Sequence, residues 1–114
     1  MQKTEWLAQV RKGLLEYAIL MIILEKPIYG YDLLSELNRY EAFSTTEGTI
    51  YPLLRRIEKN GLIHSHWQET SPGTPPRKYY TLTDLGKRSL QMMQEGWNSI
   101  TSAINTIREG GKSK

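Results

Sequence analysis

Arg55, Arg56 and Lys59 stand on the polar side of a segment whose apolar positions Ile50, Leu53 and Ile57 turn the other way, and Thr46, Thr49 and Tyr51 add hydroxyls near its start. Guanidinium, ammonium and hydroxyl groups are the side chains that bind phosphate oxygens, through charge-assisted and neutral hydrogen bonds. Alone, such a face is usually an ordinary solvated helix surface. A second pair tips the balance: Arg77 and Lys78 follow directly on the stiff loop 70–76, which holds three prolines, and no acid adjoins them in sequence. Cations on a helix and on a nearby protruding hairpin form the pattern of phosphate contact.

Other chemistries fail on inventory. His64 and His66 lie two apart on one strand and share a face, so they could form two legs of a metal site. Structural zinc wants four ligands, and with no cysteine and no third histidine the pair reads as polar strand residues, with no metal expected. No glycine-rich phosphate loop follows a strand, and neither histidine is set beside a nucleophile by sequence. The chain is therefore expected to be neither an enzyme nor a cofactor carrier.

At 114 residues the chain fits one domain with an appendage, and without cysteine it needs no oxidising compartment to fold. Its start lacks the basic and apolar regions of a secretory signal, and a cytoplasmic location is expected. The apolar run Tyr17 to Leu24 is closed by Glu16 and Glu25 and falls short of the roughly 20 residues that cross a bilayer, so no membrane partner is expected. A net charge of +3 and a pI near 9.2 favour a polyanionic partner only mildly.

The elements that must position these side chains are legible in the periodicity. Trp6, Val10, Leu14, Tyr17, Met21 and Leu24 recur at helical spacing, and the second half of that helix is apolar nearly all round. Pro27 ends it. A short second helix is predicted over about Gly30–Arg39, with Leu33, Leu34 and Leu37 inward. Ser44, Thr45 and Thr46 offer hydroxyl caps to a third helix that carries Ile50, Leu53, Leu54 and Ile57, is bent in its first turns by Pro52, and stops at Asn60-Gly61. After Gly61 the period changes to two, so 62–69 and 77–82 read as paired strands, with Tyr80 and Leu82 inward. Thr83 caps a last helix that runs to about Arg108 and spans ~37 Å, and 109–114 reads as a disordered polar tail.

Three helices followed by a β-hairpin make a mainly α, winged helix-turn-helix fold. Residues 1–82 form the winged domain including the N-terminal helix, and residues 83–108 form a C-terminal dimerisation helix. In this arrangement a helix enters the major groove of double-stranded DNA while the hairpin reaches phosphates or the minor groove. The third helix is the expected reader, with Thr46, Thr49 and Tyr51 nearest the bases and Arg55, Arg56 and Lys59 nearer the phosphates.

The segments Pro27-Ile28-Tyr29-Gly30-Tyr31, Glu47-Gly48-Thr49-Ile50-Tyr51-Pro52 leading through Glu58-Lys59-Asn60-Gly61, and Arg77-Lys78-Tyr79-Tyr80-Thr81-Leu82-Thr83 resemble the PadR family of transcriptional regulators. The resemblance covers nearly the whole chain and points to the short branch, in which one C-terminal helix replaces a larger dimerisation domain. It implies a homodimeric regulator, usually a repressor, that binds an inverted-repeat operator and is often released by a small molecule. Tyr29 and Tyr31, Thr49 and Tyr51, and Arg77 and Lys78 become the expected DNA contacts. The wing tip has fewer glycines and arginines than many relatives show, which weakens the case for strong wing contacts.

Leu90, Met93, Trp97, Ile100, Ile104 and Ile107 follow spacings of three and four along the last helix, the narrow seam of helix packed on helix. The whole seam and half of the first helix lack partners inside a winged domain and are expected to meet across a two-fold axis. Trp97 lies mid-seam beside Gly96, and the resemblance implies that a planar aromatic effector could sit there, with Met92, Met93 and Trp6 as neighbours. The plainer use of Trp97 is an interface tryptophan, with glycine allowing close helix approach. A rival from another class is a winged module used for protein contacts or ligand buffering; steep salt dependence of DNA affinity discriminates the two.

Overall fold

The computed structural model describes residues 1–111, so the part of the expected tail at 112–114 lies outside the described residues. Helix α1 (Lys3–Glu25) opens where the Gln2 N–H donates to Glu5 Oε1 at 2.8 Å. Leu15, Tyr17, Ala18, Ile19, Leu20 and Ile23 are all buried on it, so its second half runs through the core rather than along it. A chain of this size has one such core, and a helix apolar on every side is the element that must fill it.

After Pro27 the residues Ile28–Tyr29 form a short strand, β1, that the sequence reading missed. Helix α2 (Gly30–Leu37) then ends two residues before the expected Arg39. Asn38 diverts the chain: its Oδ1 accepts from the Ser44 hydroxyl at 3.0 Å and the Thr45 N–H at 2.9 Å, while its Nδ2 donates to Leu34 O at 3.0 Å. Asparagine competes with the helix for backbone groups in this way. A 3-10 turn (Glu41–Phe43) completes the connection to α3 (Glu47–Lys59).

Ile19, Leu20, Ile23, Leu33, Leu37, Ile50, Leu54 and Ile57 are the fully buried centre. Leu54, not Leu53, completes the inner face of α3; Leu53 is half-buried and turned toward α1 and α4, and Leu34 on α2 is likewise only half-buried. Helix α3 ends as its sequence requires, with Gly61 at φ +83° and the Leu62 N–H reaching back to Ile57 O at 3.2 Å.

Strands β2 (Ile63–Gln68) and β3 (Arg77–Leu82) pair antiparallel, and β1 joins the far edge of β3 to give the order β1-β3-β2. Ser71-Pro72-Gly73-Thr74 closes the wing tip as a turn, with Gly73 at φ +86° and the Thr74 N–H donating to Ser71 O at 3.0 Å. Tyr80 is buried and Leu82 half-buried against the core, so alternation assigns Lys78 to their face of the sheet and Arg77, Tyr79 and Thr81 to the outer face.

Helix α4 (Asp84–Arg108) is capped as expected: the Thr83 hydroxyl accepts from the Gly86 N–H at 2.9 Å and donates to Gly61 O at 2.6 Å. Glu109–Gly111 are not loose tail but close the helix, with the Gly111 N–H on Thr106 O at 2.9 Å and Gly110 at φ +82°. The expected seam divides in two. Leu90 is 6% exposed and belongs to the protomer's own core, and Met93 and Trp97 pack against that core. Tyr17 of α1 covers this half, its hydroxyl donating to Gln94 Oε1 at 2.6 Å and its ring 6.5 Å from that of Trp97. Beyond it Ile100, Ile104 and Ile107 are 52%, 48% and 70% exposed. The expectation that the whole seam lacks partners within one chain is thus corrected for Leu90, Met93 and Trp97.

Candidate nucleic-acid interface

Around α3, at ~100° per residue, the exposed polar positions divide between two edges. Tyr51 and Arg55, one turn apart, face the wing; Thr49 and Arg56, two turns apart, face α1. Tyr51 is half-buried because its ring fills the space a side chain at position 30 would take: a Cβ on Gly30 would lie 3.1 Å from Tyr51 Cε1. Glycine there lets the start of α2 and the first turns of α3 approach. Burial, then Glu47 and Tyr29, holds the Tyr51 phenol above its usual pKa. It is a neutral hydroxyl at the edge of α3, suited to donate or accept.

Burial also raises the Tyr80 phenol, with Glu58 and then Tyr51 adding to the effect and Arg55 opposing it. Tyr51, Arg55, Glu58 and Tyr80 therefore form one neighbourhood where α3 meets the inner face of the wing. The Lys78 ammonium continues it, 5.8 Å from the centre of the Tyr80 ring and 5.9 Å from that of Trp67. Trp67 is 68% exposed, and sequence reasoning missed it. The available signal was an aromatic on the wing strand that faces a lysine on its partner strand.

Arg77 and Lys78, expected to act as a pair, lie on opposite faces of β3. The Arg77 guanidinium covers the Tyr29 ring at 4.9 Å. Tyr29 in turn stands 6.5 Å from Tyr31 and 6.0 Å from Tyr79, and Tyr79 stacks on His66 at 6.2 Å. Tyr29, Tyr31 and Arg77 are thus brought together on the outer face, apart from Lys78. His64 and His66 share that face, and among the described residues no group of three or more His, Cys, Asp or Glu is placed to hold a metal.

Two expectations for α3 are corrected. Thr46 occupies the N-cap position, but its hydroxyl makes no cap; it lies 3.5 Å from the Thr49 hydroxyl, and only its backbone carbonyl receives the first helical N–H groups. Arg56 turns toward α1, 3.7 Å from Glu16, instead of joining Arg55. Such an exposed ion pair is worth at most about 1 kcal/mol. Lys59 is exposed in the last turn with no acid on it among the described residues.

The aromatic site expected around Trp97 is also smaller than its four residues. A cavity of about 340 Å³ between α1, α3 and α4 is lined by Trp97 and Met93, together with Tyr17, Leu14 and Gly96. Met92 and Trp6 are not part of it: both are exposed, and Trp6 lies near the N-terminal end of α1.

The model of the transcriptional regulator PadR-like family matches residues 19–92, from the buried half of α1 through the wing into α4. The chain belongs to the PadR-like family of transcriptional regulators. The Negative transcriptional regulator PadR of Bacillus subtilis (strain 168) is 37% identical over 81 residues, which cover 67% of this chain and 42% of that protein. An uncharacterized protein of Lysinibacillus sphaericus is 33% identical over 105 residues, 90% of this chain and 95% of its own. Among solved structures, a PadR-like transcriptional regulator from Bacillus cereus superposes with a TM-score of 0.79 at 39% identity, covering 87% of this chain and 95% of that one. A PadR family regulator from Eggerthella lenta gives a TM-score of 0.81 at 32% identity, covering 92% and 90%. This PadR-like chain therefore has the winged helix fold of regulators and is not an enzyme. Among the described residues no helix is long and apolar enough to cross a membrane.

Proposed function

We propose that this PadR-like regulator is a repressor that binds an inverted-repeat operator in double-stranded DNA as a homodimer. The observation that carries the reading is the shared surface of α3 and the wing: Tyr51, Arg55 and Lys59 on the helix, continued by Lys78 and Trp67 on the inner face of the hairpin. A helix with this edge fits the major groove, while the hairpin reaches the adjoining backbone. Tyr29, Tyr31 and Arg77 on the outer face serve the flanking phosphates. The homodimer is supported by the uncovered isoleucines of α4 and by exposed Trp6, Met21 and Leu24 on α1, since burying one such side chain gains about 1.5–3 kcal/mol. Residues 83–108 act as the dimerisation helix through Ile100, Ile104 and Ile107.

Selection from a random duplex pool tests this reading. An inverted repeat should be enriched, and its affinity should fall steeply as salt rises. No enrichment, or binding insensitive to salt, contradicts it and favours a module for protein contacts. The cavity beside Trp97 supports a planar aromatic effector that loosens operator binding. Titration of such compounds should change Trp97 fluorescence, and the change should vanish in Trp97→Phe.

A further inference from the structure

On the side of α3 away from the wing, α1 and α3 enclose a cleft of about 520 Å³. Arg11 and Lys12 line it from α1 and Arg56 from α3, while Ser44, Thr46 and Thr49 bring hydroxyls. The charges there are unbalanced. Glu16 lies 3.7 Å from Arg56, but among the described residues neither Arg11 nor Lys12 has a carboxylate within ion-pair distance. Arg11 is held in place all the same: its guanidinium donates to Ala42 O at 2.9 Å, which ties α1 to the 3-10 turn and leaves its other N–H groups to the cleft.

Crowding three cations around one carboxylate costs self-repulsion unless an anion joins them. Hydroxyls among the cations add neutral hydrogen bonds, and a tetrahedral oxyanion uses both kinds of donor at once. We propose that this cleft is a phosphate-binding site. The inference deepens the DNA-binding reading and rests on it: the phosphate belongs to the DNA backbone on the flank of α3 opposite the wing, so the reading helix is gripped from both sides. A free phosphorylated ligand has the same chemistry, and the experiment separates the two sources.

Lys12→Gln removes one charge from an exposed side chain. Operator affinity is measured by fluorescence anisotropy over a range of salt, using the sequence recovered by selection. Relative to wild type, the slope of log affinity against log salt should shrink by about 1.8, which is about 0.9 for the one phosphate lost by each protomer of the homodimer. Lys12→Arg should restore it, and Arg39→Gln, whose charge Glu36 already balances at 2.7 Å, should leave it unchanged; that result assigns the phosphate to DNA. The second arm titrates inorganic phosphate without DNA and follows the Thr46 and Thr49 amide resonances. An unchanged slope, with phosphate shifting those resonances in wild type but not in Lys12→Gln, assigns the site to a free ligand. An unchanged slope with no response to phosphate overturns the proposal while wild-type operator binding stands. If wild type binds no operator and does not respond to phosphate, both readings fall.

Discussion

The Glu58 carboxylate accepts from the hydroxyl of Ser65 and also from its backbone N–H at 3.2 Å, joining the last turn of α3 to the wing strand β2. One side chain thereby sets the angle between the helix that carries Arg55 and the hairpin that carries Lys78. The contact is part-buried, so water replaces it poorly.

Glu58→Ala leaves the Ser65 donors without that acceptor and should lower stability by about 1–3 kcal/mol. Urea unfolding measures this directly, and Glu58→Gln, which keeps an acceptor, should lose less. Equal losses in the two variants would show that the hydrogen bonds contribute nothing.

Gly86 lies where α4 meets the turn after α3, and a Cβ there would stand 2.0 Å from Leu62 O. Backbone cannot yield as a flexible side chain does. Gly86→Ala should therefore cost about 1–3 kcal/mol or more in spite of alanine's better helix propensity. By contrast Gly96, with nothing within 4 Å of its Cβ position, should gain from the same change. Thermal melts of the two variants shifting in the same direction would contradict this.

Tyr51 and Tyr80 titrate above the usual phenol value of about 10, chiefly because of burial. A folded pKa above the unfolded one contributes stability that is complete below the unfolded pKa and is lost as pH rises through the folded value. The protein should accordingly lose stability above about pH 10. Tyr80→Phe should flatten that alkaline decline in a series of unfolding curves, and an unchanged decline would assign it to other groups.

Ile104 is 48% exposed on α4, so a charge there costs one protomer little. Ile104→Asp should dissociate the proposed homodimer in sedimentation while leaving helix content by circular dichroism unchanged. A variant that sediments as wild type would place the interface elsewhere.

Long segments were legible from sequence: one buried face forces the pattern in α3, the hairpin and α4, while α1 shows as a long helical run, apolar nearly all round in its second half, that Pro27 closes. β1 was not, since two residues carry no alternation, and its pairing of Ile28 with Tyr80 depends on where β3 arrives. Leu53 and Leu54 are adjacent and equally apolar, and only the position of α1 and α4 decides which is buried. The same holds for the seam, where spacing cannot say that Tyr17 covers Trp97 in the same chain. Candidate site residues could be chosen by type, though Trp67 was not among them, but their grouping could not be read: alternation along β3 parts Arg77 from Lys78, and the turn of α3 parts Arg55 from Arg56.

Hydroxyl-radical footprinting of the selected duplex tests the central claim most directly, because it reads which sugars the protein covers. Wild type should protect two symmetric patches about one helical turn, roughly 34 Å, apart. Arg55→Ala should weaken both together. Uniform cleavage in the presence of saturating wild-type protein, or a single patch with no symmetric partner, would contradict a paired set of α3 helices seated in the groove.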